Sequence, residues 1–540
     1  MGKASTYPER KKAAMYLKIE AWQTRIAGLL VILLMCIQPL FLGTQRYINL
    51  TQQKFVFFVV CMACIMLAVI IIWIVRMASN PRLGPRERPY LADWAVLGFA
   101  IITLLATLFS PFKNAVRMTN VNGVLEPVPV NLWVGIPEPD GRYDGAITQL
   151  LYVAVFFIVA HWYKPRKRHF ILFGISAVLI GLIGILQFYG MDFLKLWPND
   201  IPRYHRENFY DIHFRSTLGN VDIVSTYVCV AVLLCGFLFI RMKSKWRPLW
   251  LAASALNFWL MDLSGAYSGQ VGVLVAFVLA IPFIVENLKV LGKMLILASA
   301  WLAMYVLHRL FFDVMIMGGR TFGSLLPFIA AFIVFLAAGI FLTVRGKETG
   351  RDSPVRWKLG VIIIAVIIIA GIAGVEMFGK RDENTGSKDL IADVRDAMHG
   401  NIYDELGTNR VYIWRNALTA YKEHPIIGTG PDTFEHAFPT EAQMKYGENY
   451  DKAHNEYIQI LVCQGILGII CYLVFLVSSS IKSVPKAFRN PLLMAVLAAF
   501  TGYCVQAFFN INLPIASQLL WVFAGMLANK NFRENSEIIS

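Results

Sequence analysis

Residues 54–75 read KFVFFVVCMACIMLAVIIIWIV, an apolar run that no charged residue interrupts after Lys54. A helix needs about 20 apolar residues to cross the hydrocarbon core of a bilayer. Lipid offers no hydrogen-bond partner to an open backbone group, so a run of this kind must be helical. The stretch therefore predicts a membrane-spanning helix, and much of the chain repeats its pattern.

The composition indicates a membrane protein throughout. Of the 540 residues, 57% are hydrophobic and 16% are charged, and the mean hydropathy is +0.56. Soluble domains are about 45–50% apolar and about 25% charged. The formal net charge of +15 can indicate nucleic-acid binding. Here the basic residues cluster in short loops between apolar spans, so we interpret the charge as a topology signal and expect no nucleic-acid partner.

The predicted fold is an all-α membrane protein with about fourteen transmembrane helices. The apolar segments lie near residues 24–42, 54–75, 91–109, 146–163, 170–189, 222–240, 248–262, 269–286, 291–308, 324–344, 359–378, 457–478, 491–510 and 514–528. The first of these is long and no small-residue cleavage site follows it, so we expect a retained helix rather than a signal peptide.

Basic residues predict the orientation, because they concentrate in cytoplasmic loops. They occur in the N-terminal segment and in every second connection, which places both termini in the cytoplasm. The predicted division is a cytoplasmic segment 1–23, eleven spans within 24–378 with extracytoplasmic loops 110–145 and 190–221, an extracytoplasmic helical domain 379–455, three spans within 456–528, and a cytoplasmic tail 529–540.

The 379–455 segment shows helical patterns of its own. Four residues follow helical spacing in its first part: Val411, Trp414, Leu418 and Tyr421. Pro425 with Gly428 and Gly430 ends that pattern, and a second helix is predicted over Pro431 to Tyr446. We therefore expect a small helical cap between the eleventh and twelfth spans.

The most specific motif follows this segment. His454-Asn455 is followed, after nine residues, by Gly465-Ile-Leu-Gly468. This resembles the His-Asn-x9-Gly-x-x-Gly signature of the O-antigen ligase and O-antigen polymerase superfamily, which includes bacterial O-oligosaccharyltransferases. Three further stretches resemble elements of that family: Arg410-Val-Tyr-Ile-Trp414, Pro425-Ile-Ile-Gly428-Thr-Gly430, and Arg215-Ser-Thr-Leu-Gly219-Asn220.

One family element is absent from the sequence. Members often carry a Ser-Arg pair near the next helix junction, whereas this chain has Ser264-Gly-Ala-Tyr267-Ser268. No arginine is carried over at this position, and the sequence leaves open whether another residue replaces it.

The resemblance implies transfer of a glycan from a polyprenyl-diphosphate carrier to a hydroxyl of a glycan, lipid or protein acceptor. It implies a multi-pass protein of the bacterial cytoplasmic membrane that uses no metal, cofactor or nucleotide sugar. Ligase and polymerase differ only in the acceptor, which the sequence does not disclose. The alternative from another class is a transporter or flippase of lipid-linked oligosaccharide. The enzyme is favoured because the polar constellation lies in outer loops rather than in the helices, where a transporter needs it.

The residue types fit this chemistry. A departing sugar diphosphate gains negative charge, and arginine's planar fork suits phosphate oxygens, so Arg215 and Arg410 are the predicted diphosphate ligands. Their alternative role is contact with lipid phosphate or a surface ion pair. His454, whose ordinary pKa is about 6.5, is the predicted base that removes the acceptor proton, kept neutral by the helix dipole.

The alternative role of His454 is that of a helix cap, for which Asn455 is equally suited. Asn220, Trp414 and Asn455 are supporting candidates. Trp414 can stack on a sugar ring or pack within the cap. Asp222 and Asp262 lie at helix ends and are weaker candidates, since capping and interface solvation also explain them.

Overall fold

The computed structural model describes residues 7–47, 49–79, 89–121, 124–137, 141–189, 191–196, 216–284, 287–311, 325–346, 354–379, 390–446 and 450–534. A helix occupies each of the fourteen predicted segments. The helices that precede the 379–455 segment are α1 (Tyr7–Ile32), α2 (Gln38–Leu40), α3 (Leu50–Ser79), α4 (Leu91–Leu108), α5 (Ala146–Trp162), α6 (Lys167–Phe188), α7 (Val221–Arg241), α8 (Arg247–Ser264), α9 (Tyr267–Ile284), α10 (Leu288–Arg309), α11 (Leu326–Arg345) and α12 (Pro354–Phe378).

The 379–455 segment and the last part of the chain are also helical. Their helices are α13 (Leu390–Met398), α14 (Arg410–Tyr421), α15 (Phe434–Ala437), α16 (Thr440–Tyr446), α17 (Glu456–Ser480), α18 (Val484–Ala487), α19 (Pro491–Gln506), α20 (Gln518–Ala528) and α21 (Lys530–Glu534). A π-helical turn, Leu33–Ile37, joins α1 to α2.

Ten candidate membrane spans in the described part of the chain have the length and composition to cross a bilayer. They comprise α1 with α2, α3, α4, α6, α7, α10, α11, α12, α17 with α18, and α19 with the turn that follows it. The shorter helices α5, α9 and α20 are apolar as well. The chain is therefore a multi-pass membrane protein, and the count of fourteen spans stays a prediction, as do the orientation and the domain boundaries.

Helix α7 lies at the centre of the bundle. Its entire apolar window is buried, and it packs against α8, α9, α10 and α19. Helices α11 and α12 lie at the other extreme, with large apolar side chains such as Val344 and Ile369 at 72% and 65% exposure. Exposed apolar surface of this extent is covered by bilayer lipid in a membrane protein.

The loop 110–145 contains a β-hairpin, which the all-α prediction missed. Strand β1 (Val116–Val121) pairs antiparallel with β2 (Val124–Pro129), with Val121 opposite Val124. The sequence between the strands is Asn122-Gly123, a dipeptide typical of two-residue hairpin turns. The hairpin could have been predicted from this dipeptide.

The 379–455 segment has its own apolar core, which is continuous with the start of α17. Tyr412, Ile413 and Ala417 of α14 pack with Val462 and Cys463 of α17. The predicted helix is present, and Trp414 and Tyr421 pack against this core, whereas Leu418 is 44% exposed and Ile413, outside the predicted spacing, is buried. The second predicted helix is divided into α15 and α16, because Pro439 between them has no backbone N–H to continue a helix.

Candidate active site

His454 precedes Asn455, the residue that caps α17, and has a left-handed backbone conformation with φ of 47°. This conformation is uncommon for a residue with a side chain and indicates a segment held by its surroundings. Its side chain is 34% exposed, and Nδ1 lies 3.7 Å from Oδ2 of Asp222. Burial lowers the pKa of His454 below its ordinary value, while Asp222 opposes the shift and Arg410 reinforces it. Burial is the largest cause of this shift, and the neutral imidazole is therefore favoured near neutral pH.

Asp222 is the second residue of α7 and faces His454 from a distant part of the sequence. Its backbone N–H donates to Oδ1 of Asn220 at 2.7 Å, so Asn220 supplies the cap of this helix. The Asp222 carboxylate is thus available to act on His454 by charge. In the sequence analysis Asp222 was a weak candidate, because a capping role also explained it. The structure places its carboxylate beside His454.

Arg410 is the first residue of α14. Its guanidinium donates to the carbonyl oxygen of Gly407 at 3.2 Å and to the Thr408 hydroxyl at 3.3 Å. Its buried Nε has no hydrogen-bond partner among the described residues. Burial lowers the pKa of Arg410, and the opposing charge of Asp222 counteracts that effect. The site therefore contains a cation with a donor left to bind an anion.

Asn455 and Trp414 hold the backbone around His454. The Asn455 side chain caps α17 by accepting hydrogen bonds from the backbone N–H groups of Tyr457 at 3.0 Å and Ile458 at 3.1 Å. Asn455 rather than His454 therefore caps the helix. The Trp414 indole N–H donates to the carbonyl oxygen of Ala453 at 3.0 Å, next to His454. Of the two roles weighed for Trp414, the packing role fits this contact.

Arg215 lies outside the described residues. The two residues that follow it are buried against membrane helices. The Ser216 hydroxyl donates to the carbonyl oxygen of Ile180 at 3.0 Å, and the Thr217 hydroxyl donates to that of Pro39 at 2.8 Å. These contacts fix where the chain after Arg215 meets the bundle.

A buried ionic cluster lies two residues before His454, and sequence reasoning missed it. The Lys452 ammonium, 2% exposed, lies 2.9 Å from Asp144 and 2.8 Å from Asp432. Burial opposes the charge of Lys452, but the two carboxylates raise its pKa above the ordinary value. Asp432 also accepts the backbone N–H of Ile136 at 2.6 Å. The cluster therefore ties loop 110–145 to the segments on either side of α15 and α16.

A second ion pair from the same loop lies beside the cluster. Nε of Arg142 is 2.5 Å from Oδ2 of Asp451. Burial alone would raise the pKa of Asp451, but Arg142 lowers it below its ordinary value. The positive charge of Arg142 also acts on His454. Arg142 is thus a further arginine near the imidazole, and no sequence motif identified it.

The Gly-x-x-Gly element interrupts α17, and the Pro425–Gly430 segment forms backbone hydrogen bonds with the helix there. Gly465 has φ of 69° and ψ of −171°, which opens the helix. The backbone N–H groups of Ile466 and Leu467 donate instead to the carbonyl oxygens of Pro425 at 2.8 Å and Ile426 at 3.3 Å. In return, Gly430 N–H donates to the carbonyl oxygen of Cys463 at 2.9 Å. The two glycine-containing motifs are therefore partners in one backbone interface.

The junction that lacks the family's arginine is built from neutral groups. The Ser268 hydroxyl lies 3.1 Å from that of Ser225 and accepts from the Asn510 side chain at 3.3 Å. Asp262 lies 3.8 Å from Nε2 of His308, in a separate polar pair. Within the described ranges, no cluster of three or more His, Cys, Asp or Glu residues is arranged to hold a metal ion. Metal independence stays a prediction.

A protein-family model described as O-antigen ligase matches residues 310–473, which include Arg410, His454 and both glycines of the Gly-x-x-Gly element. Over these residues the chain is similar to the O-antigen ligase and polymerase superfamily. The matched range does not include Asp222 or Arg142, so their positions relative to His454 come from the fold alone.

Two curated proteins are similar to this chain. The exopolysaccharide production protein ExoQ of Rhizobium meliloti (strain 1021) is 26% identical over 211 residues, which cover 37% of this chain and 46% of ExoQ. An uncharacterized protein of Haemophilus influenzae is 31% identical over 128 residues, which cover 22% of this chain and 31% of that protein. The chain thus matches less than half the length of either relative.

Proposed function

We propose that the chain is a glycosyl or oligosaccharyl transferase. It moves a glycan from a polyprenyl-diphosphate carrier to an acceptor hydroxyl at the extracytoplasmic face of the bacterial cytoplasmic membrane. The single observation that carries this proposal is the convergence of His454, Asp222 and Arg410, because these residues come from three separate segments. A base, a carboxylate that orients it and a cation with a free donor are the groups that this reaction requires.

In the proposed reaction, the neutral His454 imidazole takes the proton of the acceptor hydroxyl as its oxygen attacks the anomeric carbon. The bond between that carbon and the diphosphate oxygen breaks, and the diphosphate leaves with the electron pair. Asp222 stabilises the imidazolium that forms. The 3.7 Å separation of the two side chains exceeds hydrogen-bond length, and such contacts often tighten when substrate binds.

Arg410 binds the diphosphate in this proposal. Its unpartnered Nε is a preorganised donor, and a guanidinium stabilises the negative charge that develops on the leaving group. Arg215 is the second proposed ligand of the diphosphate. Arg142 supplies a further positive charge near His454 and is our candidate to replace the arginine absent near Ser264.

The acceptor hydroxyl belongs to a glycan, a lipid or a protein. The name of the Rhizobium relative, an exopolysaccharide production protein, supports a polysaccharide product. Growth of the glycan on its lipid carrier identifies a polymerase, and appearance of the glycan on a distinct acceptor identifies a ligase.

Transport is the second candidate, and one observation favours it. The buried Lys54 ammonium lies beside a helix interruption, where it donates to the carbonyl oxygens of Gln38 at 2.9 Å and Pro39 at 3.0 Å. Interrupted helices with buried ions are common in transporters. These groups lie at the ends of two candidate spans, Ala13–Leu40 and Leu50–Ser79. A transporter instead binds its substrate near the midplane, so the enzyme is the better-supported function.

Reconstitution of the full chain in vesicles with a labelled polyprenyl-diphosphate oligosaccharide tests the proposal. We expect the protein to consume donor and to lengthen the glycan or move it to an acceptor. His454→Ala and Arg410→Ala should abolish transfer, whereas His424→Ala, the matched control on another loop histidine, should not. Transfer by His454→Ala at the level of the unmodified protein would overturn the assignment. Donor that crosses the membrane unchanged would establish the transporter instead.

A further inference from the structure

A groove of about 470 Å³ lies at the end of α17 that is remote from His454. Leu473, the groove residue of α17 nearest to its beginning, follows Glu456 by 17 positions, and at about 1.5 Å per residue the groove begins roughly 25 Å from the candidate active site. Val474, Val477 and Ile481 contribute its apolar wall, and Leu91 contributes the facing side. The groove therefore lies well away from the proposed donor site.

Two cations converge at the polar end of this groove. The Lys482 ammonium is 5.4 Å from the centre of the Tyr90 ring, and the Arg533 guanidinium carbon is 5.6 Å from the same centre. Among the described residues, the two carboxylates nearest in sequence to Tyr90 and Arg533 are engaged with other groups: Glu534 lies 3.6 Å from Lys486, and Asp93 lies 3.1 Å from His161. Two like charges that share one aromatic ring favour an anion between them.

Arg533 adds an independent observation. The residue is only 8% exposed, although it lines the groove. One guanidinium nitrogen donates to the carbonyl oxygen of Leu527 at 3.3 Å. Its buried Nε has no partner within the described part of the chain. An unsatisfied buried donor of a cation is costly unless a ligand accepts its hydrogen bond.

The apolar wall determines which anion fits. Val477 and Ile481 are 57% and 58% exposed, and both belong to a candidate membrane span, where exposed apolar side chains are expected to contact lipid. A free inorganic ion would use only the cationic end of such a groove. A molecule with a phosphate headgroup and an acyl chain would use both ends, as lipids do in basic pockets between transmembrane helices.

We propose that this groove binds an anionic phospholipid, with its phosphate at Arg533 and Lys482 and one acyl chain along Val474 and Val477. The site is independent of the proposed glycan transfer, because none of its residues belongs to the candidate active site. Bound lipid would tie the beginning of α4 to the ends of α17 and α20.

Native mass spectrometry of the full chain in detergent tests the site with phosphatidylglycerol and phosphatidylcholine of identical acyl chains. We expect retention of phosphatidylglycerol over phosphatidylcholine. The double variant Lys482→Gln with Arg533→Gln should bind phosphatidylglycerol more weakly by a factor of about ten or more, because it loses charge-assisted hydrogen bonds. Lys245→Gln is the matched control, because Lys245 also lies over an aromatic ring, 5.9 Å from that of Trp246.

A second variant covers the case in which the charge variant does not fold. Val477→Trp fills the groove with apolar volume on an exposed surface and should reduce retention of phosphatidylglycerol. Equal retention of both lipids would overturn the proposal, as would retention unchanged by Lys482→Gln with Arg533→Gln. Displacement of the lipid by inorganic phosphate would also overturn it and would assign the cations to a free anion.

Discussion

Nδ1 of His454 lies 3.7 Å from Oδ2 of Asp222, although the two residues belong to different helical segments and are far apart in sequence. The relationship gives the imidazole a nearby negative charge that raises its pKa against the effect of burial. A histidine base with a carboxylate on its other nitrogen is oriented and stabilised as it gains a proton. Asp222 is therefore proposed as the positioning residue for His454.

Asp222→Asn should lower the transfer rate by about 10- to 100-fold. It should also move the acid limb of the rate–pH profile to lower pH. The sign follows from the base being active when neutral: loss of the carboxylate lowers the pKa of His454 further, so the imidazole stays neutral at more acidic pH. Rates measured between about pH 5 and pH 8 check this. Asp262→Asn, which alters a different histidine pair, is the control, and an acid limb that moves upward would contradict the prediction.

Arg410→Lys tests whether geometry or charge matters at the diphosphate. Lysine retains the charge but loses the planar fork and the Nε donor. We expect kcat/KM for the lipid-linked donor to fall by about tenfold or more. Arg415→Lys on the same helix is the matched control, because Arg415 is 56% exposed and pairs with Asp404. Equal losses in both variants would point to a structural effect on α14.

The apolar helices could be predicted from the sequence because the length of an apolar run is a local property. His454 and Arg410 could be identified from the sequence because they belong to motifs with a defined spacing. The Lys452 cluster and the contact between Asp222 and His454 could not be predicted, since they join segments distant in sequence and leave no periodic pattern. The burial of Ile413 was not predicted for the same reason: it packs with Val462 of α17, which helical spacing alone cannot reveal.

Lys452→Met should destabilise the protein strongly, because it leaves the carboxylates of Asp144 and Asp432 buried without their cation. Removal of one partner from a buried ion pair typically costs about 3–5 kcal/mol. Thermal unfolding in detergent measures the change. Lys445→Met is the control: Lys445 is 50% exposed in its pair with Asp404, and exposed pairs contribute about 0–1 kcal/mol. A variant that unfolds at the unmodified temperature would show that the cluster does not stabilise the segment around His454.

Trp414→Phe separates positioning from sugar stacking. Phenylalanine retains an aromatic face but cannot donate to the carbonyl oxygen of Ala453, which precedes His454. If Trp414 positions that segment, kcat should fall by several-fold while KM for the donor changes little, since loss of one hydrogen bond costs about 1 kcal/mol. If the ring instead stacks on the sugar, Trp414→Phe should be nearly neutral and Trp414→Ala should raise KM. Steady-state kinetics on both variants distinguish the two roles.

Gly465→Ala tests the break in α17. A Cβ at this position would lie 2.4 Å from the carbonyl carbon of Ile426, and the backbone conformation is one that glycine alone adopts readily. Strain of this kind costs about 1–3 kcal/mol before any displacement of the Pro425–Gly430 segment. We expect a lower unfolding temperature and lost transfer, because that segment joins the end of α14 to the region before His454. Gly371→Ala is the control, since no atom lies within 4 Å of its added Cβ. Unfolding and activity equal to those of Gly371→Ala would mean that the interface tolerates a continuous helix.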